Sequence, residues 1–400
     1  MASDLTTVAV LFKHLYMDGQ TAAITQRDHP LFARIDKQPG FVGDQFNYVL
    51  RYGNPQGVSG GFTNSQNNSS GSKGVQLAAK RKVKYGDIVL NGEAMAAAEG
   101  NKGAFYDLVT METEGILQEM GDSFAFDLYR SGNGIRGQRA TGGLSGNAVT
   151  LVTVDDARNF KVGMTVGASP NSDGSVPRVG TTTVAQVDED AGTVTLANAG
   201  SITSFSDLDY LFRDGDPGTC MEGLEVLTPL TAPITGDSFR GIDRSVDTRR
   251  LAGVRVSDTN TTIEENAGLI AVKIAQVGQV TRPDECYLNP IRFWQVARRE
   301  NAKVMYEAGA DATYGFQAIN IATPAGVLKC FSDPDCPTNR IRVVSSKFHY
   351  LKHLRPLPHI IDDDGLPSLR STSADQIEAR ARGWVNLIQP VAGAHGVGAI

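Results

Sequence analysis

Charge, aromatic side chains and cysteine are all scarce in this sequence, and each scarcity removes a class of function. Charged residues occupy only 20% of the 400 positions, with a formal net charge of −6. An acidic chain with no dominant basic face is not built mainly to grip nucleic acid, although passive contact with DNA along one surface stays open. The four cysteines, Cys220, Cys286, Cys330 and Cys336, include no CxxC pair. They form no disulfide framework or zinc pattern, so buried free thiols in a reducing cytosol are the expectation. Aromatics stand at 7% against 43 glycines, while hydrophobic residues still reach 41%. That balance describes an ordered, turn-rich chain, and at this length it can bury roughly three quarters of its unfolded surface without a metal or disulfide. Length alone predicts about two to four domains. No apolar run reaches the roughly 18 residues that a membrane helix needs. Asp4, Lys13, His14 and Asp18 interrupt the N-terminal segment, leaving no signal-peptide core. There is no GxxxxGK[ST], no HExxH and no GxGxxG opening a helix, which lowers the expectation of an enzyme.

What is present is a succession of extended elements. Apolar positions scattered from Leu5 to Ile35, broken by the polar stretch Asp18 to Gln26, predict an arm lying on another surface. From Phe46 the pattern alternates, with Phe46, Tyr48, Leu50 and Tyr52 on one side. A Gly/Asn/Ser tract from Gly53 to Gly74 follows, and then Val75, Leu77 and Ala79 lead into the basic run Lys80, Arg81, Lys82 and Lys84. Two strands joined by a flexible tip make a long hairpin. Its apolar face has little of its own chain to pack on, so the expectation is that a second copy of the molecule keeps it dry. From Gly103 to Arg130 the period becomes helical. Phe105, Leu108, Val109, Ile116, Met120, Phe124 and Leu128 form a stripe along a rod roughly 40 Å long. Gly115 and Gly121 interrupt this helix, and Gly86 and Gly92 lie between hairpin and helix as candidate hinges.

Between Gly142 and Phe212 short strands crowd together, predicted at Ala148 to Val154, Met164 to Gly167, Thr181 to Val187 and Thr193 to Leu196, with a helical turn at Asp155 to Phe160. This reads as a small inserted all-β module. A helix is predicted over Thr261 to Val277, capped by Thr262 or Thr261, with Glu264 and Glu265 in the first turn. Glu285 to Leu288 reads as a strand, and Asn289-Pro290 starts a helix predicted to run through Ala308 and stop at Gly309. Strands are predicted at Gly326 to Phe331 and Ile341 to Tyr350, and a last helix at Ala374 to Gly383 before a Gly- and Ala-rich tail from Val391.

Two clusters invite a chemical reading. His349, His353 and His359 precede Asp362, Asp363 and Asp364. In a strand-like stretch, however, His349 and His353 stand roughly 13 Å apart, too far to share a metal, and the aspartates read as a solvated turn. Cys330 and Cys336 bracket a turn and lie near enough to pair when oxidised, but two thiols are too few for structural zinc.

The order of parts resembles that of the major capsid proteins of tailed bacteriophages, the HK97-like fold family. The likeness rests on the hairpin from Phe46 to Tyr85, the helix from Gly103 to Arg130, the strand-to-helix passage Glu285-Cys-Tyr-Leu-Asn-Pro-Ile-Arg-Phe-Trp294 and the closing stretch Ala374-Asp-Gln-Ile-Glu-Ala-Arg-Ala-Arg-Gly-Trp384. In layout it covers almost the whole chain. It implies an α+β, HK97-like capsid fold with an extended hairpin loop, a long spine helix and an inserted small all-β domain. The implied divisions are an N-terminal arm (1–40), hairpin loop (41–90), spine helix and start of a peripheral domain (91–141), inserted β domain (142–212), peripheral return (213–262), and axial domain with closing peripheral segments (263–400).

The resemblance further implies a structural subunit without cofactor, metal or catalysis, assembled in the host cytoplasm and residing in the virion. Its partners would be further copies in pentamers and hexamers, a separate scaffolding protein, a portal, a decoration protein and packaged double-stranded DNA held without sequence readout, with no membrane. Intersubunit contact falls to Phe46, Tyr48, Leu50, Tyr52, Val75, Leu77, Lys80, Arg81, Lys82 and Lys84. Spine packing falls to Phe105, Val109, Ile116, Met120 and Phe124, and pivoting to Gly86 and Gly92. Relatives sometimes join subunits by Lys–Asn isopeptide bonds, but no spacing here identifies a pair. A tubular tail or other viral assembly protein is the alternative. A soluble hydrolase or binding protein would leave the hairpin unexplained.

Overall fold

The computed structural model describes residues 28–93, 108–258, 261–278, 282–299, 304–305, 318–361, 369–370 and 374–400. Two mixed sheets and a closed barrel are arranged around one long helix.

The larger sheet has seven strands in the spatial order β13 (Val254–Val256), β23 (Gly396–Ala399), β18 (Arg340–Val344), β14 (Glu285–Leu288), β17 (Gly326–Ser332), β16 (Ala318–Thr323) and β15 (Val304–Met305). The β13/β23 and β14/β17 pairs are parallel and the rest antiparallel. Because side chains alternate along a strand, Cys286, Leu288, Cys330 and Val343 point to one core while Tyr287, Phe331 and Val344 point to another. Both faces are therefore covered, which is why these strands read as nearly continuous apolar runs.

The first core is closed by α5 (Ile263–Gln276), whose Ile263, Ala267, Ile270 and Ile274 lie against the sheet. Thr262 and Glu265 form a reciprocal capping box at its start, satisfying two backbone donors that would otherwise be orphaned. In α6 (Pro290–Arg298), the Asn289 side chain caps and Pro290 takes the first turn. The helix predicted to reach Ala308 ends at Arg298, with Val304 and Met305 pairing as a strand with Ile321 and Asn320. Gly309 lies outside the described residues.

The second core joins this sheet to α3 (Leu108–Tyr129) and to the smaller sheet. There the central strand is β22 (Gln376–Ile388). One edge of it pairs along ten residues with β4 (Lys82–Asn91); the other takes β19 (Tyr350–His353), β20 (His359–Ile360) and β21 (Leu369–Arg370). β1 (Asp36–Pro39) adds in parallel to β19. The helix predicted at Ala374 to Gly383 is thus a strand: its intrinsic preference is overridden by the ladder to β4. Met120, Phe124 and Leu128 of α3 meet Ala381, Val385, Leu387 and Leu351 here, together with Leu224 and Leu227 of α4 (Leu224–Leu227) and Leu31 of α1 (Pro30–Arg34).

The barrel closes in the order β10 (Tyr210–Arg213), β5 (Ile135–Ser145), β6 (Ala148–Leu151), β9 (Thr193–Leu196), β8 (Thr182–Asp188) and β7 (Thr165–Ser169). It starts at Ile135, before the predicted Gly142, because β5 is needed to close it. Its first residue, Ile135, is the register partner of Phe212 in its last strand. Val149, Leu151, Val166, Val184, Val194, Leu196 and Leu211 fill its interior.

Candidate functional site

β2 (Gln45–Gly53) and β3 (Lys73–Lys80) pair antiparallel, with Phe46 opposite Ala79, Tyr48 opposite Leu77 and Leu50 opposite Val75. The two-residue period places all six on one face. That face is covered by the molecule itself: Tyr48, Leu50, Leu77 and Ala79 are buried against Ile242, Leu251 and Ile388, with Phe46, Tyr52 and Val75 half-buried at the margin. The expectation that a second copy keeps this face dry is therefore overturned, because the chain's return segment and β22 already supply the cover. What stays uncovered is the outer part of the hairpin. From Asn54 to Ser72 the chain holds a Gln56–Ser70 bridge and α2 (Phe62–Asn67), which buries no residue. Val58 is 96% exposed and Phe62 79% exposed in this segment.

The basic run is also divided by the fold. Lys80 is exposed at the hairpin's base, but Arg81 lies over the Trp384 ring and Lys82 donates to the Gly218 carbonyl at 2.7 Å. Lys84 is turned inward, 2.8 Å from Asp127 and donating to Ser123 at 2.6 Å. Burial alone would lower the Lys84 pKa, but Asp127, Cys220 and Asp216 outweigh it and the pKa rises. Arg81, Lys82 and Lys84 are thus engaged within the subunit rather than held out for a neighbour. The hinge reading of Gly86 and Gly92 is likewise corrected. Gly86 sits mid-strand opposite Ala381, and a Cβ there would come within 2.7 Å of Ile116; a Cβ on Gly92 would come within 2.5 Å of the Asp375 carboxylate. Both glycines permit close packing. Of the spine residues, Ile116, Met120 and Phe124 lie in the second core, Val109 sits in the first turn of α3, and Phe105 is outside the described residues.

Solved structures with a similar arrangement include subunits of capsids. The chain superimposes on a subunit of the cyanophage A-1(L) capsid with a TM-score of 0.53 at 10% identity, over 99% of this chain and 97% of that one. The fold is that of a phage capsid subunit. The capsid of an empty GTA particle is also similar, with a TM-score of 0.50 at 8% identity over 99% and 97% of the two chains. No protein-family model matches the sequence, and no curated protein matches it.

Within this capsid-subunit fold the polar side chains mainly tie parts together. His29 bridges Asp122 of α3 at 2.8 Å and Asp335 of the loop after β17 at 2.5 Å. Lys161 of the barrel reaches Glu119 and Asp122, each at 2.5 Å, and Arg213 also pairs with Glu119. Burial would lower the His29 pKa, but bonds to the two aspartates push it up to about 10. Asp333 accepts from the Leu31 N–H at 3.0 Å and from the Tyr129 hydroxyl at 2.8 Å; burial and then Asp335 push its pKa up to about 6.

The clusters weighed in the sequence do not converge. His349 faces His395, and His353 and His359 bond the carbonyls of Arg355 and Pro356, while Asp362 to Asp364 lie outside the described residues. Among the described residues no three potential ligands gather. Cys330 lies opposite Cys286 across a parallel strand pair, and Cys336 is buried against the Tyr287 carbonyl. Gly57-Val58-Ser59-Gly60-Gly61 does have GxSxG spacing, a match that sequence reading missed. Ser59 sits in the exposed tip, accepts only from the Gly61 N–H at 3.4 Å, and among the described residues bonds no histidine.

Proposed function

We propose that this chain is the structural subunit of an icosahedral phage head of the HK97-like type, forming pentamers and hexamers around double-stranded DNA and carrying out no catalysis. The observation that carries the reading is likeness to a capsid subunit over 99% of the chain, with no large part of either molecule left over. A second feature supports it: the segment from Asn54 to Ser72 projects with Phe62 and Val58 uncovered, although the hairpin beneath it is anchored. A projecting element laid across a neighbour buries more area than two globules touching at their flanks, and many modest contacts repeated around a ring hold collectively. In this reading contact with the next subunit moves outward from the apolar strand face to the hairpin tip and Lys80.

The barrel serves as the inserted domain on the outer wall and a candidate seat for a decoration protein. Residues 28–40 belong to the arm, and the seven-stranded sheet to the axial domain. Scaffolding protein and portal act as separate partners, the inner wall meets DNA through scattered Lys and Arg without sequence readout, and the finished protein resides in the virion. Among the described residues no helix is long and apolar enough to cross a membrane.

The test is to express the full chain with and without its scaffolding protein and to image the products by negative stain. Closed shells or five- and six-membered rings are expected. A compact monomer under both conditions would overturn the proposal.

A further inference from the structure

The chain between the barrel and the large sheet contains a miniature hairpin, β11 (Ser238–Phe239) and β12 (Ile242–Asp243), joined by Arg240 and Gly241. Both loop residues have positive φ, 49° at Arg240 and 86° at Gly241, as the two-residue turn that suits twisted strands requires. The second place is glycine, as expected. The first normally goes to Asn, Asp or Gly, because a side chain with a full Cβ and a long stem is strained there. A bulky residue kept in such a conformation calls for a reason in its surroundings.

The surroundings supply one. The Arg240 side chain is only 1% exposed, and its Nε and Nη2 hold the Glu222 carboxylate at 2.8 and 2.7 Å. Nη1 donates to the Tyr48 hydroxyl at 2.9 Å, and Nη2 donates to the Leu387 carbonyl at 2.8 Å. The Arg240 carbonyl accepts from the Ala78 N–H at 3.2 Å. One residue thus bonds β2 through Tyr48, β3 through Ala78, β22 through Leu387 and the return segment through Glu222. Asn386 adds to the same knot, donating to Glu222 at 3.3 Å and to the Lys80 carbonyl at 2.7 Å. The β2–β3 ladder holds the hairpin to itself, whereas these bonds hold it to the body.

We propose that Arg240 is a positioning residue that sets the angle at which the long hairpin leaves the subunit, so that every copy presents its tip in one direction. The planar guanidinium is suited to this task, since it offers several donors at fixed angles, whereas lysine presents a single point charge on a flexible stem. The consequence for shell building rests on the function proposed above, but the angle is a property of the single subunit and can be tested apart from it.

The experiment uses the full, unassembled chain with nitroxide labels at Thr63→Cys in the tip and Gln276→Cys at the end of α5. All four native cysteines are buried and out of reach of the label. Pulsed electron spin resonance should give one narrow tip-to-body distance in the parent. Arg240→Gly suits the turn and removes the guanidinium; the single narrow peak should be lost while far-ultraviolet circular dichroism and the cooperative melt persist. Arg240→Lys should not restore the peak. Should Arg240→Gly fail to fold, Tyr48→Phe removes one acceptor and keeps the ring, and it should broaden the same peak. An unchanged narrow peak in a folded Arg240→Gly chain, or in Tyr48→Phe where that is the variant measured, overturns the proposal. Shell formation, imaged separately, decides the assembly reading and not this one.

Discussion

His29 shows how a single side chain can join three parts of a chain that the sequence keeps far apart: its partners lie 93 and 306 positions away. No local pattern signals such a contact, so the residue was not legible as a site. With its pKa raised to about 10 from a usual 6.5, the folded state holds the proton more tightly than the unfolded one. The stabilisation is therefore fully present below pH 6.5, provided Asp122 stays ionised, and is lost as pH rises through about 10. His29→Ala should accordingly lower unfolding stability clearly at neutral pH and by a vanishing amount above pH 10, as read by urea denaturation of the unassembled subunit. His349 and His395 work in the opposite sense. Burial, aided at His349 by its neighbour His395, lowers their pKa values to about 3 and about 4. The unfolded chain takes up protons near pH 6.5 that the folded chain refuses, so stability falls as pH drops below that value toward 4. Replacing His349 with Phe, which keeps the ring's bulk and cannot titrate, should move the acid-unfolding midpoint to lower pH in a tryptophan-fluorescence titration.

At the scale of elements, glycines divide into those that make room and those that do not. Gly383 of β22 lies beneath Phe124 of α3, where a Cβ would approach the ring to 2.5 Å; Gly115 on the same helix has open space around it. Gly383→Ala should push the helix off its sheet and destabilise the subunit by about 1–3 kcal/mol. Gly115→Ala should stabilise it by about 1 kcal/mol. Both are measurable as shifts in the urea midpoint. The same elements show what could be read in advance. α3, the strand β9 and the capped α5 were legible because their periodicities and caps are local. The all-β module was legible in part, because β8 and β9 are antiparallel neighbours joined by a short turn; its closure into a barrel was not, because β5 and β10 pair from opposite ends of the module. Gln376 to Ile388 was misread as part helix because its order comes from β4, some three hundred positions earlier in the chain. The Gly-rich tail hid an inner strand of the large sheet. Gly396 and Gly398 are small because Ile270 and Asn266 of α5 press on them, and composition alone reads such a stretch as loose. The apolar face of the hairpin was legible, but its cover comes from two distant places, Ile242 and Leu251 of the return segment and Ile388 of β22.

For the whole molecule, the proposed function makes the division between an anchored hairpin base and an uncovered tip a division between folding and assembly. Gly53 and Lys73 are register partners, so residues 54–72 can be replaced by a short turn without disturbing the ladder behind them. The shortened chain should melt as the parent does, because α2 buries nothing. It should nonetheless fail to form shells, remaining monomeric by light scattering under conditions where the parent assembles. The barrel offers a different freedom. Its first strand begins beside the point where its last one ends, Ile135 against Phe212, so the polypeptide enters and leaves through one narrow neck. A module on such a neck is exchangeable cargo: cut there, it can give way to any foreign domain whose own termini meet. Compensating replacements at Glu119 and Asp122 would be needed for the lost Lys161 and Arg213, and each particle would then carry one graft for every subunit.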